Sequence, residues 1–386
     1  MSVESFVHRS PASKVVCAAG AIASLAAELA ELGVRRPLLV AGVRTAASPV
    51  YAAVKQALAG MPLAEFTSVP AHSSVAAVTQ IRDLARAGQC DGFVAVGGGS
   101  AADSAKAAAL WLAEGGELEQ WANRFTPPAT LVAPELRQPK LPVAAVPCTA
   151  SAAEVTPSVG VRTDDGRKLL FSDPKLACRL IVIDPQANVT VPAALMLSTG
   201  MNGLAHCVEG LYSKLRTPVT TALSLHGIRL FMQALPAVAR EPQSVAARAE
   251  LLSAAHLSGL VLLNARTCFH HAVCHALGAV TGVAHGEANS VVLPHAIRFN
   301  APAAVAELAL AAEAMQLPSR DGAALADAVA ALQQAIGAPA RLRDIGVPQS
   351  ALARVAAKTM GERGLYFNPR QIAGADEVQA LLEQAW

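Results

Sequence analysis

Residues 92–114 read GFVAVGGGSAADSAKAAALWLAE. Gly92–Val96 is a continuous apolar run of strand length. Three glycines and a serine follow, and then an Ala-rich segment with high helix propensity. A buried strand that turns through glycine straight into a helix is the entry of a βα unit. It predicts an anion site at the helix start, where free backbone N–H groups converge and a pyrophosphate can sit. Gly97, Gly98 and Gly99 let the backbone come close to such a ligand. Ser100 reads as the N-cap, and Asp103 three residues on completes an acidic capping box. Lys106 is placed to pair with Asp103 or with a phosphate. The turn is not G-x-G-x-x-G, so the ordinary dinucleotide fingerprint is absent.

The same grammar extends outward. Pro37–Ala41 (PLLVA), Pro142–Pro147 (PVAAVP) and Arg179–Asp184 (RLIVID) also read as buried strands. The first follows an amphipathic segment over 21–32 that ends at Gly33. Strands spaced by helical segments predict βαβ units and a largely parallel sheet. Past Asp184-Pro185 the character changes: residues 191–211, 220–235 and 244–263 read as helices, with no strand run among them. The expectation is an α/β N-terminal dinucleotide-binding domain over 1–187 and an all-α C-terminal domain over 188–386. After the first of these strands, Ala41-Gly42-Val43-Arg44 offers no acid for an adenosine ribose. Gly42 and Arg44 would tolerate a 2′-phosphate, so the cofactor reads as NAD(P)H.

Composition narrows the function classes. The chain has 386 residues, 53% hydrophobic and 16% charged, with a formal net charge of +2. That excludes disorder and gives no electrostatic support to nucleic-acid or membrane-surface binding. Mean hydropathy is +0.38, yet no uninterrupted apolar stretch reads as long enough to span a bilayer. The first residues lack the order of a signal peptide, so a cytoplasmic protein acting on a small molecule is expected. The 7 cysteines are scattered without a CxxC pair, which indicates neither a disulfide framework nor a zinc knuckle.

The histidines are not spread evenly. Asn202, His206 and Glu209 share one face of a predicted helix, opposite an apolar stripe of Leu204, Val208 and Leu211. His271 and His275 are four apart on a second helix. Gly278 and Gly282 then break the pattern, and His285 follows at a loop or helix start. Two helices with inward-facing histidines can build a metal site or a proton-transfer site.

Together the segments GGGSAADSAK (97–106), VPCTASAAEVTPSVG (146–160), STGMNGLAHCVEGLYS (198–213) and HHAVCHALGAVTGVAHGEANSVVLPHAIRFN (270–300) resemble the iron-containing alcohol dehydrogenase superfamily. The resemblance implies the dehydroquinate synthase-like fold, with an active site between the α/β and helical domains. It also implies metal ligands, Fe²⁺ or Zn²⁺, at Asn202, His206, His271 and His285, where metal-bearing members carry an Asp and three His. Asn in the first position, the doubled His270-His271, the short CTASAAEVTP loop and Tyr366–Arg370 (YFNPR) resemble the maleylacetate reductase branch. AADSAK and residues 115–141 are closer to the alcohol dehydrogenases.

The branch resemblance implies an NAD(P)H-dependent reductase of a small oxo-acid or unsaturated acid, maleylacetate to 3-oxoadipate in aromatic catabolism, acting as a homodimer. The alternative is a metal-dependent alcohol dehydrogenase or aldehyde reductase. On either reading Gly97–Ser100 hold the pyrophosphate, and Thr149 and Thr156 contact the cofactor. His206, His271, His275 and His285 line the cleft with Asn202. Arg370 and Lys175 are candidate partners for a substrate carboxylate.

Overall fold

The computed structural model describes residues 5–127 and 130–386. Its strands in chain order are β1 (Lys14–Cys17), β2 (Pro37–Gly42), β3 (Ala64–Val69), β4 (Gly92–Gly97), β5 (Arg124–Thr126), β6 (Thr130–Val132), β7 (Val143–Pro147), β8 (Ser158–Arg162), β9 (Lys168–Ser172) and β10 (Leu180–Ile183). Six of them form one parallel sheet in the order β1-β10-β7-β4-β2-β3. The four runs read from the sequence are its inner strands. All residues of β4, β7 and β10 are buried, as expected of a sheet covered on both faces.

The two edge strands escaped the sequence reading because edges are half-solvated. β1 is mostly exposed and β3 mixes polar with apolar residues. Also unread was the antiparallel hairpin of β8 and β9. Its signal is Asp164-Asp165-Gly166 between two alternating runs, and Gly166 has φ +81°.

Helices α1 (Leu25–Glu31), α2 (Val43–Ala46), α3 (Pro49–Ala57), α4 (Val75–Ala87) and α5 (Gly99–Glu114) belong to the sheet region. After α6 (Pro185–Asn188) the described chain is helical: α7 (Ala193–Tyr212), α8 (Pro218–Arg240), α9 (Val245–Ala265), α10 (Phe269–Thr281), α11 (His285–Asn300), α12 (Val305–Ala314), α13 (Gly322–Ala335), α14 (Leu352–Thr359), α15 (Gly364–Phe367) and α16 (Ala375–Ala385). One large apolar core joins the sheet to α7, α8 and α9. A second fills the space among α10, α11, α14 and α16.

Helix α7 is not amphipathic in the way the sequence suggests. From Gly200 to Tyr212 every residue is buried, so the polar face of Asn202, His206 and Glu209 is as enclosed as the apolar stripe. Glycine makes this possible: a Cβ on Gly203 would lie 2.4 Å from Phe231 Cζ. By length and composition α8 and α9 are each apolar enough to cross a membrane, although charged residues interrupt both, Arg229 in α8 and Arg248 and Glu250 in α9. Here they pack against each other and against α7. Arg248, fully buried in α9, spends its guanidinium on the carbonyls of Asn188, Val191 and Pro242.

Candidate active site

Strand β4 delivers the glycine turn. Gly97 has φ +139°, open to glycine and few others. Gly98 is extended and is the N-cap of α5, with no side-chain cap. This corrects the capping-box expectation. Ser100 already has a helical backbone and turns its hydroxyl away, donating to the Ala71 carbonyl at 2.7 Å. Asp103 accepts from the Gly160 amide of β8 at 3.1 Å. The start of α5 is therefore bare. Neighbours leave no room for larger residues: a Cβ on Gly98 would be 3.0 Å from Thr149 Cγ2, and one on Gly99 3.4 Å from Ala153 Cβ. A bare helix start cradled by glycine fits a pyrophosphate.

Lys106 does not reach that cradle. It is fully buried, and its ammonium donates to the Thr156 carbonyl at 2.7 Å and to the Ala153 carbonyl. It thus pairs with neither Asp103 nor a phosphate, and lashes the 148–157 loop to α5. The strand register puts that loop beside the glycine turn. Gly97 pairs with Pro147, and the Cys148 amide donates to the Gly97 carbonyl at 2.8 Å.

Thr149 is buried against Gly98 and donates to Ser151 Oγ at 3.0 Å. Thr156 is buried, its hydroxyl on the Ala153 carbonyl at 3.3 Å. Ala152 takes φ +57°, a conformation most residues avoid. The Ala150 amide donates to Thr199 Oγ1 of α7 at 3.0 Å and ties the loop to the helical half. Gly42 ends β2, where a Cβ would be 3.0 Å from the Val69 carbonyl, and Arg44 is exposed on α2.

On the helical side, α7, α10 and α11 bring Asn202, His206, His271, His275 and His285 together. His206 stacks on His271 with ring centroids 4.7 Å apart, and His275 on His285 at 5.4 Å. His271 and His285 are 5.8 Å apart, His271 and His275 6.2 Å. His285 opens α11, and α10 runs on through Gly278 to a left-handed cap at Gly282.

His271 is gripped on both sides. Its Nδ1 donates to Glu209 Oε2 at 2.5 Å, and its Nε2 lies 3.0 Å from Asn202 Oδ1. Its backbone amide also points at Glu209 Oε1, at 3.4 Å. His270 lies behind, with Nδ1 3.2 Å from His271 Nδ1 and Nε2 3.0 Å from the Asn289 carbonyl. Burial, reinforced by the neighbouring rings, pushes His206, His271 and His285 well below the usual histidine range and His270 down to about 4. Burial raises the Glu209 carboxyl.

His275 differs. Its side chain is 36% exposed and its Nδ1 lies 3.4 Å from Glu362 Oε2. Burial acts most strongly and raises the Glu362 carboxyl, but the hydrogen bond from His275 and the charges of His275, Lys168 and Lys358 together outweigh it and hold the carboxyl below the ordinary range.

The donor set does not fit a divalent ion in the way the resemblance implies. Asn202, His206, His271 and His285 are all neutral donors, so a bound Fe²⁺ or Zn²⁺ would carry one more unit of positive charge than beside an Asp, where charge is costly, offset only through Glu209 behind His271. His271 Nε2, the atom such an ion needs, faces the Asn202 amide oxygen. Glu209, His270 and His271 do bring ligand atoms within 4.8 Å of one another. Those atoms already bond among themselves on the far side of the His271 ring.

The proposed carboxylate partners are also spent elsewhere. Lys175 donates to the Leu136 carbonyl at 2.8 Å and to Asp173 at 3.0 Å. Arg370 donates to the Phe299 carbonyl at 2.7 Å and pairs with Glu377. Sequence reasoning missed the role of Glu209, though Asn202-x₃-His206-x₂-Glu209 on one buried face carried the signal. It missed Glu362 altogether, since no motif surrounds it.

Residues 12–185 match the family model for iron-containing alcohol dehydrogenase, and residues 196–386 its C-terminal counterpart. The chain is 32% identical to a 4-hydroxybutyrate dehydrogenase of Cupriavidus necator, covering 95% of this chain and 96% of that one. It is 31% identical to a maleylacetate reductase of Sphingobium indicum, covering 97% and 96%. The crystal structure of maleylacetate reductase from Agrobacterium tumefaciens superposes with a TM-score of 0.83 at 26% identity, over 100% of this chain and 99% of that one. The glycine turn on a parallel sheet, the histidine-bearing helical half and these full-length similarities lead to one assignment: the chain belongs to the iron-containing alcohol dehydrogenase family.

Proposed function

We propose that this oxidoreductase reduces a small oxo-acid or unsaturated acid with NAD(P)H, without a metal, and that maleylacetate is its substrate. The observation that carries the reading is the amide of Asn202 where a ligand carboxylate would stand. Around it are two histidine–carboxylate pairs, His271–Glu209 and His275–Glu362. A nicotinamide held at the glycine turn would supply a hydride to one carbon of the substrate double bond. The adjacent carbon, conjugated to a carbonyl, then carries negative charge and must take a proton.

His275 is the residue to donate it. It reaches solvent for reprotonation, and the Glu362 carboxylate lies 3.4 Å from its Nδ1. Glu209 fixes the ring of His271, and with Asn202 that ring orients the substrate oxygen on which the charge develops. Gly97–Ser100 hold the pyrophosphate at the bare start of α5. Lys168 of β9 carries no salt bridge among the described residues and lies close enough to act on the charges of His285 and Glu362. It takes the place of Arg370 and Lys175 as the cation facing an acidic substrate or the cofactor phosphates. Arg44 favours NADPH. The exposed edge strand β1 supports a dimer formed across it.

The test is NADH and NADPH oxidation with maleylacetate beside a panel of small aldehydes. Turnover at least tenfold faster with the acid supports the reading; faster reduction of an uncharged aldehyde overturns it.

A further inference from the structure

A cavity of about 340 Å³ lies away from the histidines, between the N-terminal segment and the junctions α7–α8 and α9–α10. Among its lining residues are Phe6, Arg9, Lys214, Arg216, Leu263 and Arg266. Lys214 follows the C-terminal end of α7, about 15 Å along that helix from Asn202 at 1.5 Å per residue. Arg216 is paired with Glu307 at 3.0 Å. Among the described residues, no carboxylate pairs with Arg9, Lys214 or Arg266.

The main chain at each of these three residues is fixed by its surroundings. Asn264 clamps the main chain of Arg9 from both sides: the Arg9 amide donates to Oδ1 at 2.7 Å, and Nδ2 donates to the Arg9 carbonyl at 3.0 Å. The Lys214 amide donates to the Phe367 carbonyl at 3.0 Å. Arg266 caps α9 with φ +65° and ψ −178°, a conformation that is essentially glycine's alone. Burial, followed by the charges of Arg363 and Arg9, lowers the pKa of the Arg266 guanidinium.

Arg266 is half-buried beside the charges of Arg9 and Arg363, and like charges gathered around a half-buried guanidinium favour a bound anion. Backbone strain such as that at Arg266 persists where the surroundings enforce it, and it clusters at ligand sites. We infer that this cavity binds a small, multiply charged oxyanion, a phosphate or a dicarboxylate, gripped by Arg266 with Arg9 and Lys214. The planar guanidinium takes two oxygens of such a group at once.

The test is thermal unfolding of the whole protein in phosphate, in succinate and in chloride at one ionic strength. It uses wild type, Arg266→Gly and Lys214→Gln. Glycine suits the backbone at 266, so Arg266→Gly will fold with a Tm in chloride no lower than wild type. The wild type should gain about 2 °C or more from tens of millimolar phosphate or succinate over chloride. The larger of the two responses identifies the oxyanion. Arg266→Gly should lose at least half of that gain, and Lys214→Gln part of it. A wild type that answers all three salts alike overturns the site. So does an Arg266→Gly protein that responds as fully as wild type, since its anion then binds elsewhere, for instance at the glycine turn.

Discussion

Lys106 and His271 are both ionisable and both buried, yet the protein completes them differently. Lys106 lies among carbonyl groups, with Asp103 and Glu154 near enough to feel its charge, and its helix carries the glycine turn. His271 is gripped by Glu209 and Asn202, but the groups around it stay open. His206 Nδ1 and Asn289 Oδ1 are buried without a partner, and His275 reaches solvent. Buried polar groups are normally satisfied, so each exception calls for a reason, and at a cluster of histidines a ligand or a proton supplies one. On the proposed reading the first region holds the cofactor cleft in shape, and the second does chemistry.

Substitutions should separate the two. The largest effect is expected at His275. His275→Ala should lower kcat by about 10²–10⁴ with Tm nearly unchanged, as loss of a proton donor does. Steady-state kinetics beside a melting curve checks both. Lys106→Met should do the reverse, costing about 3–5 kcal/mol of stability because buried partners lose their cation. It should raise KM for NAD(P)H while kcat per folded molecule stays within a few-fold. A kcat loss at Lys106 as deep as that at His275 would break the distinction.

Glu209→Gln keeps the shape and removes the charge behind His271. It should cost about 10–100-fold in kcat, the scale seen when the partner behind a functional histidine is lost. The smallest effect belongs to Glu154, whose carboxyl burial holds at about 6, above the ordinary 4.5. Folding therefore favours its protonated form. That contribution is complete below pH 4.5 and is lost as pH rises through about 6. Glu154→Gln should be more stable than wild type at pH 7 by up to about 2 kcal/mol, and level with it near pH 4. Denaturant melts at the two pH values decide it.

The inner strands, the glycine turn and the helical second half were legible because each writes a run or a period into the sequence. The edge strands β1 and β3 were not, since half-solvated strands carry mixed residues. Ser100 illustrates a second limit. A serine near a helix start reads as a cap, but the backbone turns one residue earlier, at Gly98, and only coordinates show it. The histidine cluster was legible through its spacing on α7 and α10. Its carboxylate partners were harder: Glu209 looked like one more polar residue on a helix face, and Glu362 comes from a segment remote in sequence. Long-range pairing also removed Arg370 and Lys175 from the substrate, because their partners Glu377, Phe299 and Leu136 cannot be read from local pattern.

The central claim is that two histidine–carboxylate pairs, and no metal, serve the reaction. Elemental analysis of protein purified without a metal-affinity tag, with turnover of maleylacetate assayed on the same sample before and after chelator, tests it most directly. The account predicts far less than one metal per chain and unchanged turnover after chelation. Stoichiometric iron or zinc, with activity that falls on chelation and returns with the metal, would contradict it and make Asn202 a ligand.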